Sequence, residues 1–195
     1  MLRILGVASI SLFAGFALPA AADAQSDLID QECTPEIWGS YSIRLGIPIG
    51  QEFIPAFTSL NFVDLWIVND SSNLDDSARV FVVVRADSLA GPELGTSDQA
   101  FIPKPFDDAI RLPFPTPVAL ESGRTYLIEA RAEGPGNPML AGGDQLGACP
   151  GIRGYFQGRP FTTGADFWFR TGVDPTPVLP RSWGRLKAQY GREEP

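Results

Sequence analysis

Glycine and proline recur along the whole chain and divide it into short segments. The 195 residues include 20 glycines and 18 prolines. Proline lacks the amide hydrogen that a helix needs, and glycine is costly in a helix interior. The segments between these residues are rich in aromatic and β-branched side chains, which favour strands. The distribution therefore predicts an all-β protein and argues against a helical one.

Several segments alternate apolar and polar side chains, as strands with one buried face do. Residues 78–86 are instead apolar on both faces, which indicates a strand in the centre of a sheet. Prolines at 113, 115 and 117 confine the segment before them to a sheet edge or end it there. With turn signals between the segments, the pattern predicts an antiparallel β-sandwich or jelly roll. We predict strands at residues 51–57, 60–69, 78–86, 109–114, 125–133, 154–157 and 165–171, and a surface loop at residues 134–151.

The first residues have the pattern of a secretory signal peptide. Arg3 precedes an apolar stretch, and Ala22-Asp23-Ala24 fits the small-x-small cleavage rule. An uncleaved N-terminal anchor is the alternative. We predict a signal peptide at 1–24, a β-sandwich domain at 25–173, and a Pro-rich linker and flexible tail at 174–195. No other segment is apolar for long enough to cross a membrane, so the expected location is extracellular or periplasmic.

The chain contains two cysteines, Cys33 and Cys149. In the oxidising compartment that a signal peptide implies, two cysteines usually pair. We therefore predict a disulfide that closes most of the domain. Two independent free thiols are the alternative.

Charge and composition exclude several functions. The formal net charge is −8, so the protein repels nucleic-acid phosphates and anionic membrane surfaces. Neutral sugars and metal cations remain compatible with this charge. The sequence has no histidine, which removes Ser–His and Cys–His nucleophile pairs and the usual zinc ligand sets. No nucleotide-binding motif is present, so we predict a protein that is not an enzyme.

Five sequence segments together resemble a known module. They are GQEFIPAFTSLNFVDLWIVND (50–70), ARVFVVVRADSLAGPELGTS (78–97), FPTPVALESGRTYLIEA (114–130), GYFQG (154–158) and GADFWFRTG (164–172). This order is similar to a jelly-roll module of secreted bacterial proteins, including many with a PEP-CTERM sorting tail. The resemblance implies a galactose-binding-like β-sandwich at the cell surface, with no defined ligand. The sorting tail has no counterpart here, since residues 181–195 are polar.

Trp168, Asp166 and Arg170 alternate along the last predicted strand and should share one face. A Trp ring offers a flat apolar surface for a sugar, and the charged groups can bond its hydroxyls. Glu129 would extend this surface if its strand were adjacent. The alternative is that Trp168 covers the flank of the sandwich while Asp166 and Arg170 form a surface ion pair. Trp66 and Asp64 repeat the arrangement, but Trp66 has apolar neighbours and is expected in the core.

The segment 70–76 is rich in oxygen ligands. Asp70, Asp75 and Asp76 could bind Ca²⁺, although their spacing does not match an EF-hand. A solvated hairpin loop is the alternative.

The leading hypothesis is a secreted, non-catalytic protein that binds a polysaccharide or another cell-surface component. A second hypothesis is a structural or interaction protein whose C-terminal tail docks a partner, since Trp183, Leu186 and Tyr190 fall on one face of a short helix. A third is a carbohydrate-active enzyme that uses a carboxylate pair, for which Asp64, Glu129 and Asp166 are the candidates.

Overall fold

The computed structural model describes residues 27–70, 77–143, 149–162 and 164–174. The predicted signal peptide and the predicted tail after Asp174 lie outside these ranges. None of the described residues forms a helix that could cross a membrane. The strands are β1 (Leu28–Cys33), β2 (Gly39–Ser42), β3 (Ile49–Phe53), β4 (Ser59–Asn69), β5 (Ala78–Ala86), β6 (Glu93–Thr96), β7 (Ala100–Ile102), β8 (Phe106–Ala119), β9 (Tyr126–Glu133), β10 (Met139–Gly143), β11 (Gly154–Phe156), β12 (Arg159–Pro160), β13 (Asp166–Phe167) and β14 (Phe169–Val173).

These strands form two antiparallel sheets. Sheet A has the order β1-β14-β4-β10-β13, with β8 also paired to β4 and β2 also paired to β10. Sheet B has the order β12-β11-β3-β9-β5-β6, with β7 paired to β5. Apolar side chains from both sheets form one buried cluster between them. The predicted antiparallel β-sandwich is therefore confirmed, while the jelly-roll order of connections stays a prediction.

The core follows the alternation of the long strands. In β4, Val63, Leu65 and Ile67 are fully buried between the sheets. Residues between them point to the outer side of sheet A, because successive side chains of a strand face opposite sides. In the same way β5 contributes Val80, Val82 and Val84 to the core. Since β5 pairs with β9 on one side and with β6 and β7 on the other, its predicted central place is confirmed.

β8 lies at an edge of sheet A, as predicted, but it is much longer than predicted. It pairs with β4 from Asn69↔Phe106 to Phe62↔Pro113, and again at Leu60↔Val118 and Ser59↔Ala119, with an irregularity between the two parts. Pro115 and Pro117 lie in this irregular part, where they are not paired with β4 residues, so their missing amides are not needed for the pairing. The Pro113 carbonyl accepts a hydrogen bond from Asp98 N–H.

The predicted surface loop at 134–151 is wrong for its central part, because β10 lies inside sheet A. This strand has the weakly strand-forming sequence Met-Leu-Ala-Gly-Gly. Small residues are required because neighbouring chain segments lie very close to it. A Cβ atom at Gly142 would be 2.6 Å from the Asp166 carbonyl oxygen, and one at Gly143 would overlap the Glu36 carbonyl oxygen. Residues 144–148 are outside the described ranges.

The predicted disulfide is confirmed. Cys33 ends β1, and its sulfur bonds to that of Cys149 across a sequence separation of 116 residues. Both cysteines are buried in the core cluster. The bond ties the first strand of sheet A to the segment that leads into β11.

Candidate functional site on the outer face of sheet A

The predicted sugar-binding surface of Trp168, Asp166 and Arg170 is present only in part. Trp168 is 9% exposed. The guanidinium carbon of Arg170 lies 5.0 Å from the centre of the Trp168 ring, and the Trp66 ring packs edge-on at 5.7 Å. These contacts cover Trp168, so it cannot itself offer an open face to a sugar. It supports the two neighbours that are more exposed.

Asp166 does not share a face with Trp168 and Arg170, so that part of the prediction is wrong. Its Oδ1 accepts a hydrogen bond from Gln51 Nε2 at 2.9 Å, and Gln51 is a core-facing residue of sheet B. Phe167, Trp168 and Phe169 alternate between the core and the outer side, so the alternation is broken one step earlier, between Asp166 and Phe167. Next to this point the Trp168 backbone N–H bonds to Ala141 of β10. On one side of this point β13 pairs with β10, and on the other β14 pairs with β4.

Asp166 is a buried acid beside the disulfide. Burial raises its pKa, although hydrogen bonds from the Gln51 side chain and the Cys149 backbone act in the opposite direction. The ligand-type atoms of Cys33, Cys149 and Asp166 lie within 4.8 Å of one another. Because the two sulfurs are bonded to each other, they are not available as thiolate ligands. The cluster is structural in this oxidised form.

Glu129 lies in sheet B, so it cannot extend the Trp168 surface. Its carboxylate is buried on the outer side of that sheet and accepts hydrogen bonds from Arg85 Nε at 2.6 Å and Arg131 Nε at 3.0 Å. Nearby, Tyr155 Oη donates to Glu52 Oε1 at 2.6 Å. Burial and this hydrogen bond raise the pKa of Tyr155 to about 12. The candidates Asp64, Glu129 and Asp166 thus lie in three separate places, so they cannot form the predicted carboxylate pair.

Trp66 is half-buried on the outer side of sheet A, so its predicted place in the core is wrong. Its indole N–H donates to Asp107 Oδ1 at 2.7 Å. This bond and the contact with Trp168 fix the ring on the exposed surface. We call the outward side chains around it the Trp66 face, which consists of Asp64, Trp66, Arg111, Trp168 and Arg170.

Three charged residues of the Trp66 face lie side by side on neighbouring strands of sheet A. Asp64 lies between Arg111 of β8 and Arg170 of β14. Arg111 binds both carboxylate oxygens, at 2.8 and 3.0 Å, and these hydrogen bonds with Asp64 raise the pKa of its guanidinium. A third nitrogen of Arg111 bonds to Asp27. The side chain of Arg111 is therefore fully occupied.

Arg170 is not occupied in this way. Its nearest approach to Asp64 is 3.7 Å, and its buried Nε has no hydrogen-bond partner among the described residues. The surface ion pair between Asp166 and Arg170, which was the alternative prediction, is also absent from the described part of the chain. The side chain of Arg170 is 36% exposed, and Glu32 of β1 is its register neighbour on the side away from Asp64. No hydrogen bond joins its terminal nitrogens, which can donate, to another described residue.

The calcium prediction is largely outside the described part of the chain. Asp70 is exposed at the end of β4, while Asp75 and Asp76 are not described. Asn69 is buried and its Nδ2 donates to the Pro103 carbonyl. Calcium binding at this loop stays a prediction, as does the docking role of the C-terminal tail.

Sequence reasoning missed two residues that belong to the site. Asp107 precedes the predicted strand 109–114, because β8 begins earlier, at Phe106. Arg111 lies within that predicted strand, but its pairing with Asp64 of β4 was not visible from the sequence.

No family model matches the sequence, and no curated protein is significantly similar to it. The resemblance to a galactose-binding-like module therefore stays a prediction. Any function has to be argued from the arrangement of the side chains.

Proposed function

We propose that this protein is a secreted, non-catalytic β-sandwich that binds saccharides through the Trp66 face. The observation that carries the proposal is the half-buried Trp66 ring, which its contacts hold on the outer side of sheet A. The buried disulfide supports secretion, since such bonds persist in oxidising compartments. The resemblance to a bacterial cell-surface module favours the same location.

Trp66 can stack against the apolar face of a sugar ring. Aromatic side chains bury much apolar area and have few rotatable bonds. The Asp107 hydrogen bond and the Trp168 contact already restrict the Trp66 side chain. Binding therefore costs little additional side-chain entropy.

Arg170 supplies the polar part of the recognition. Its guanidinium is held over Trp168, and the two terminal nitrogens form a planar fork of donors. Adjacent hydroxyl oxygens of a sugar can accept hydrogen bonds from such a fork. A ring to stack on and a neighbouring donor pair together fix both the position and the orientation of a pyranose.

The test is a pull-down of the full-length secreted protein with insoluble polysaccharides: cellulose, chitin, xylan, mannan and starch. We expect retention on at least one of them and a loss of roughly tenfold in affinity for Trp66→Ala, the value of one aromatic stacking contact. Phe101→Ala is the matched control, because Phe101 is 63% exposed and belongs to sheet B.

Two results would overturn the proposal. One is a wild-type protein that none of the polysaccharides retains. The other is equal retention of the wild-type protein, Trp66→Ala and Phe101→Ala, which would place any binding away from the Trp66 face.

A further inference from the structure

The outer surface of sheet A is charged on one side of Trp66 and partly apolar on the other. On the charged side, Arg170, Asp64 and Arg111 lie next to one another on three strands. On the other side, two residues further along β4, lies Val68, which points outward like Trp66 because side chains alternate along a strand. Val68 is partly exposed and does not belong to the core cluster. Its neighbours therefore decide what else a ligand stacked on Trp66 can touch.

Val68 has an apolar neighbour on one side and a carboxylate on the other. The register pairs it with Met139 of β10 and with Asp107 of β8. Paired residues of neighbouring strands point to the same face of a sheet, with their Cβ atoms about 5 Å apart. Met139 is partly exposed, and Asp107 is exposed. We call these three outward residues, Met139, Val68 and Asp107, the Val68 row.

Asp107 has one carboxylate oxygen available to a ligand. Its Oδ1 accepts a hydrogen bond from the Trp66 indole N–H at 2.7 Å. The side chain forms no other hydrogen bond or ion pair with a described residue. Because both oxygens of a carboxylate accept hydrogen bonds, Oδ2 can accept one from a donor on a ligand stacked on Trp66.

An acetamido group matches the chemistry of the Val68 row. It carries an N–H that a carboxylate oxygen can accept, and a methyl group that can pack on Val68 and Met139. The rise of a strand places the Cα atom of Val68 about 7 Å from that of Trp66, so a substituent of a stacked ring can reach it. A hydroxyl group in that position could bond to Asp107 but would leave the two apolar side chains uncovered. A carboxylate there would be repelled by Asp107.

We infer that the ligand is an N-acetylhexosamine saccharide, whose ring stacks on Trp66 and whose acetamido group lies on the Val68 row. The inference rests on the proposed function, since it names the class of saccharide that the Trp66 face binds. Burial of the methyl group and a hydrogen bond to a charged acceptor both add to the stacking contact. The Val68 row therefore determines the specificity of the site.

Isothermal titration of the full-length protein with two β-1,4-linked hexamers tests this inference. One hexamer consists of N-acetylglucosamine and the other of glucose, so that they differ only at carbon 2, where an acetamido group replaces a hydroxyl group. The wild-type protein should bind the N-acetylated hexamer roughly tenfold more tightly. In the pull-down, it should be retained on chitin more than on cellulose.

Asp107→Asn tests the hydrogen bond to the acetamido group. The Asn side chain keeps a carbonyl oxygen for the Trp66 indole N–H, and its amide nitrogen, which cannot accept, takes the place of Oδ2. The preference for the N-acetylated hexamer should fall to about threefold. Asp108→Asn is the matched control, because it removes the same charge from an exposed residue that points to the other side of β8 and bonds to Ala109 N–H. This control should keep the wild-type preference.

Val68→Thr tests the apolar contact. Thr has a similar shape and a similar preference for strands, but its hydroxyl group replaces one of the two methyl groups of Val. The preference for the N-acetylated hexamer should fall roughly threefold. An unchanged melting temperature would show that the loss is local to the binding surface.

The outcomes separate the two claims. A wild-type protein that binds neither hexamer and none of the polysaccharides overturns the proposed function, and the inference fails with it. Retention on a polysaccharide without any preference for the N-acetylated hexamer overturns the inference alone. An equal effect of Asp107→Asn and Asp108→Asn on the preference also overturns it, because the Val68 row would then play no part in recognition.

Discussion

Gln51 is the side chain that joins the two sheets next to the disulfide. Its Nε2 donates to Asp166 at 2.9 Å, and its Oε1 accepts from Phe167 N–H at 2.9 Å. All of these groups are buried, so the amide replaces water for both partners. A polar residue on a core face is retained here because it satisfies two groups of the opposite sheet.

Gln51→Ala should therefore destabilise the fold by about 2–4 kcal/mol, because a buried carboxyl and a buried N–H lose their partner. Urea unfolding of the disulfide-intact protein measures this. Gln99→Ala is the control, since Gln99 is exposed and bonds only to Glu133 at 3.2 Å among the described residues; it should change stability by less than about 0.5 kcal/mol. Equal effects of the two variants would contradict the role given to Gln51.

Asp166 should make stability depend on pH. Its folded-state pKa is raised by burial, so the native state binds a proton more tightly than the unfolded state. The resulting stability is present below the unfolded pKa of about 3.9 and is lost as the pH rises through the folded pKa. Thermal melts between pH 3 and pH 7 should show a smaller pH-dependent loss for Asp166→Asn than for the wild-type protein. Parallel curves for the two proteins would count against this assignment.

At the scale of elements, the close approach of neighbouring strands leaves some positions with room for glycine only. Gly50 of β3 faces Glu129 of β9, and a Cβ atom there would overlap the Ile128 carbonyl oxygen. Gly50→Ala should therefore shift the β3 backbone and cost about 3 kcal/mol, in the range of other backbone and overpacking changes. Gly39→Ala is the matched strand control, since nothing lies within 4 Å of its Cβ position among the described residues. A melting temperature lowered equally in both variants would refute the close approach.

The elements also show how far the sequence predicted this fold. β4 and β9 were recognisable because their apolar residues follow a two-residue period that matches the buried face. β5 was recognisable because it is apolar on both faces, as a central strand is. β10 was not, because its small residues reflect the closeness of Asp166 and Glu36, which lie far away in sequence. Close packing between distant segments leaves no periodic signal in the segment itself.

The candidate site was predicted in part for the same reason. Trp168 and Arg170 are neighbours on the outer side of sheet A, as expected from their spacing. Asp166 faces inward because the alternation is broken in the short strand β13, where Asp166 bonds to Gln51. Glu129 lies in the other sheet, because strand pairing is not encoded locally. The residues that the structure adds, Asp107 and Arg111, belong to the site because β8 pairs with β4.

At the scale of the whole molecule, the disulfide closes most of the described chain. A loop of 116 residues corresponds to about 5 kcal/mol of chain entropy removed from the unfolded state. The double variant Cys33→Ala, Cys149→Ala should lower the free energy of unfolding by about 4 kcal/mol. This is less than the full entropic value, because relaxed packing in the variant recovers part of the stability. Guanidinium unfolding measures the difference, and an unchanged midpoint would show that the bridge does not support the sandwich.

The two outer faces of the sandwich have different chemistry. Sheet B buries Glu129 between Arg85 and Arg131, so its central charges are hydrogen-bonded to each other. The Trp66 face of sheet A instead leaves Nε of Arg170 without a hydrogen bond to any described residue, near the partly exposed Trp66 indole. This asymmetry is the reason why we propose binding at sheet A.

Nuclear magnetic resonance titration of the ¹⁵N-labelled protein tests that assignment most directly. Added neutral hexasaccharide should shift the indole N–H signal of Trp66 and the backbone amide signals of Asp64 and Arg170, with the signals of β5 and β9 unchanged. Shifts confined to sheet B, or no shifts at millimolar oligosaccharide, would contradict the account.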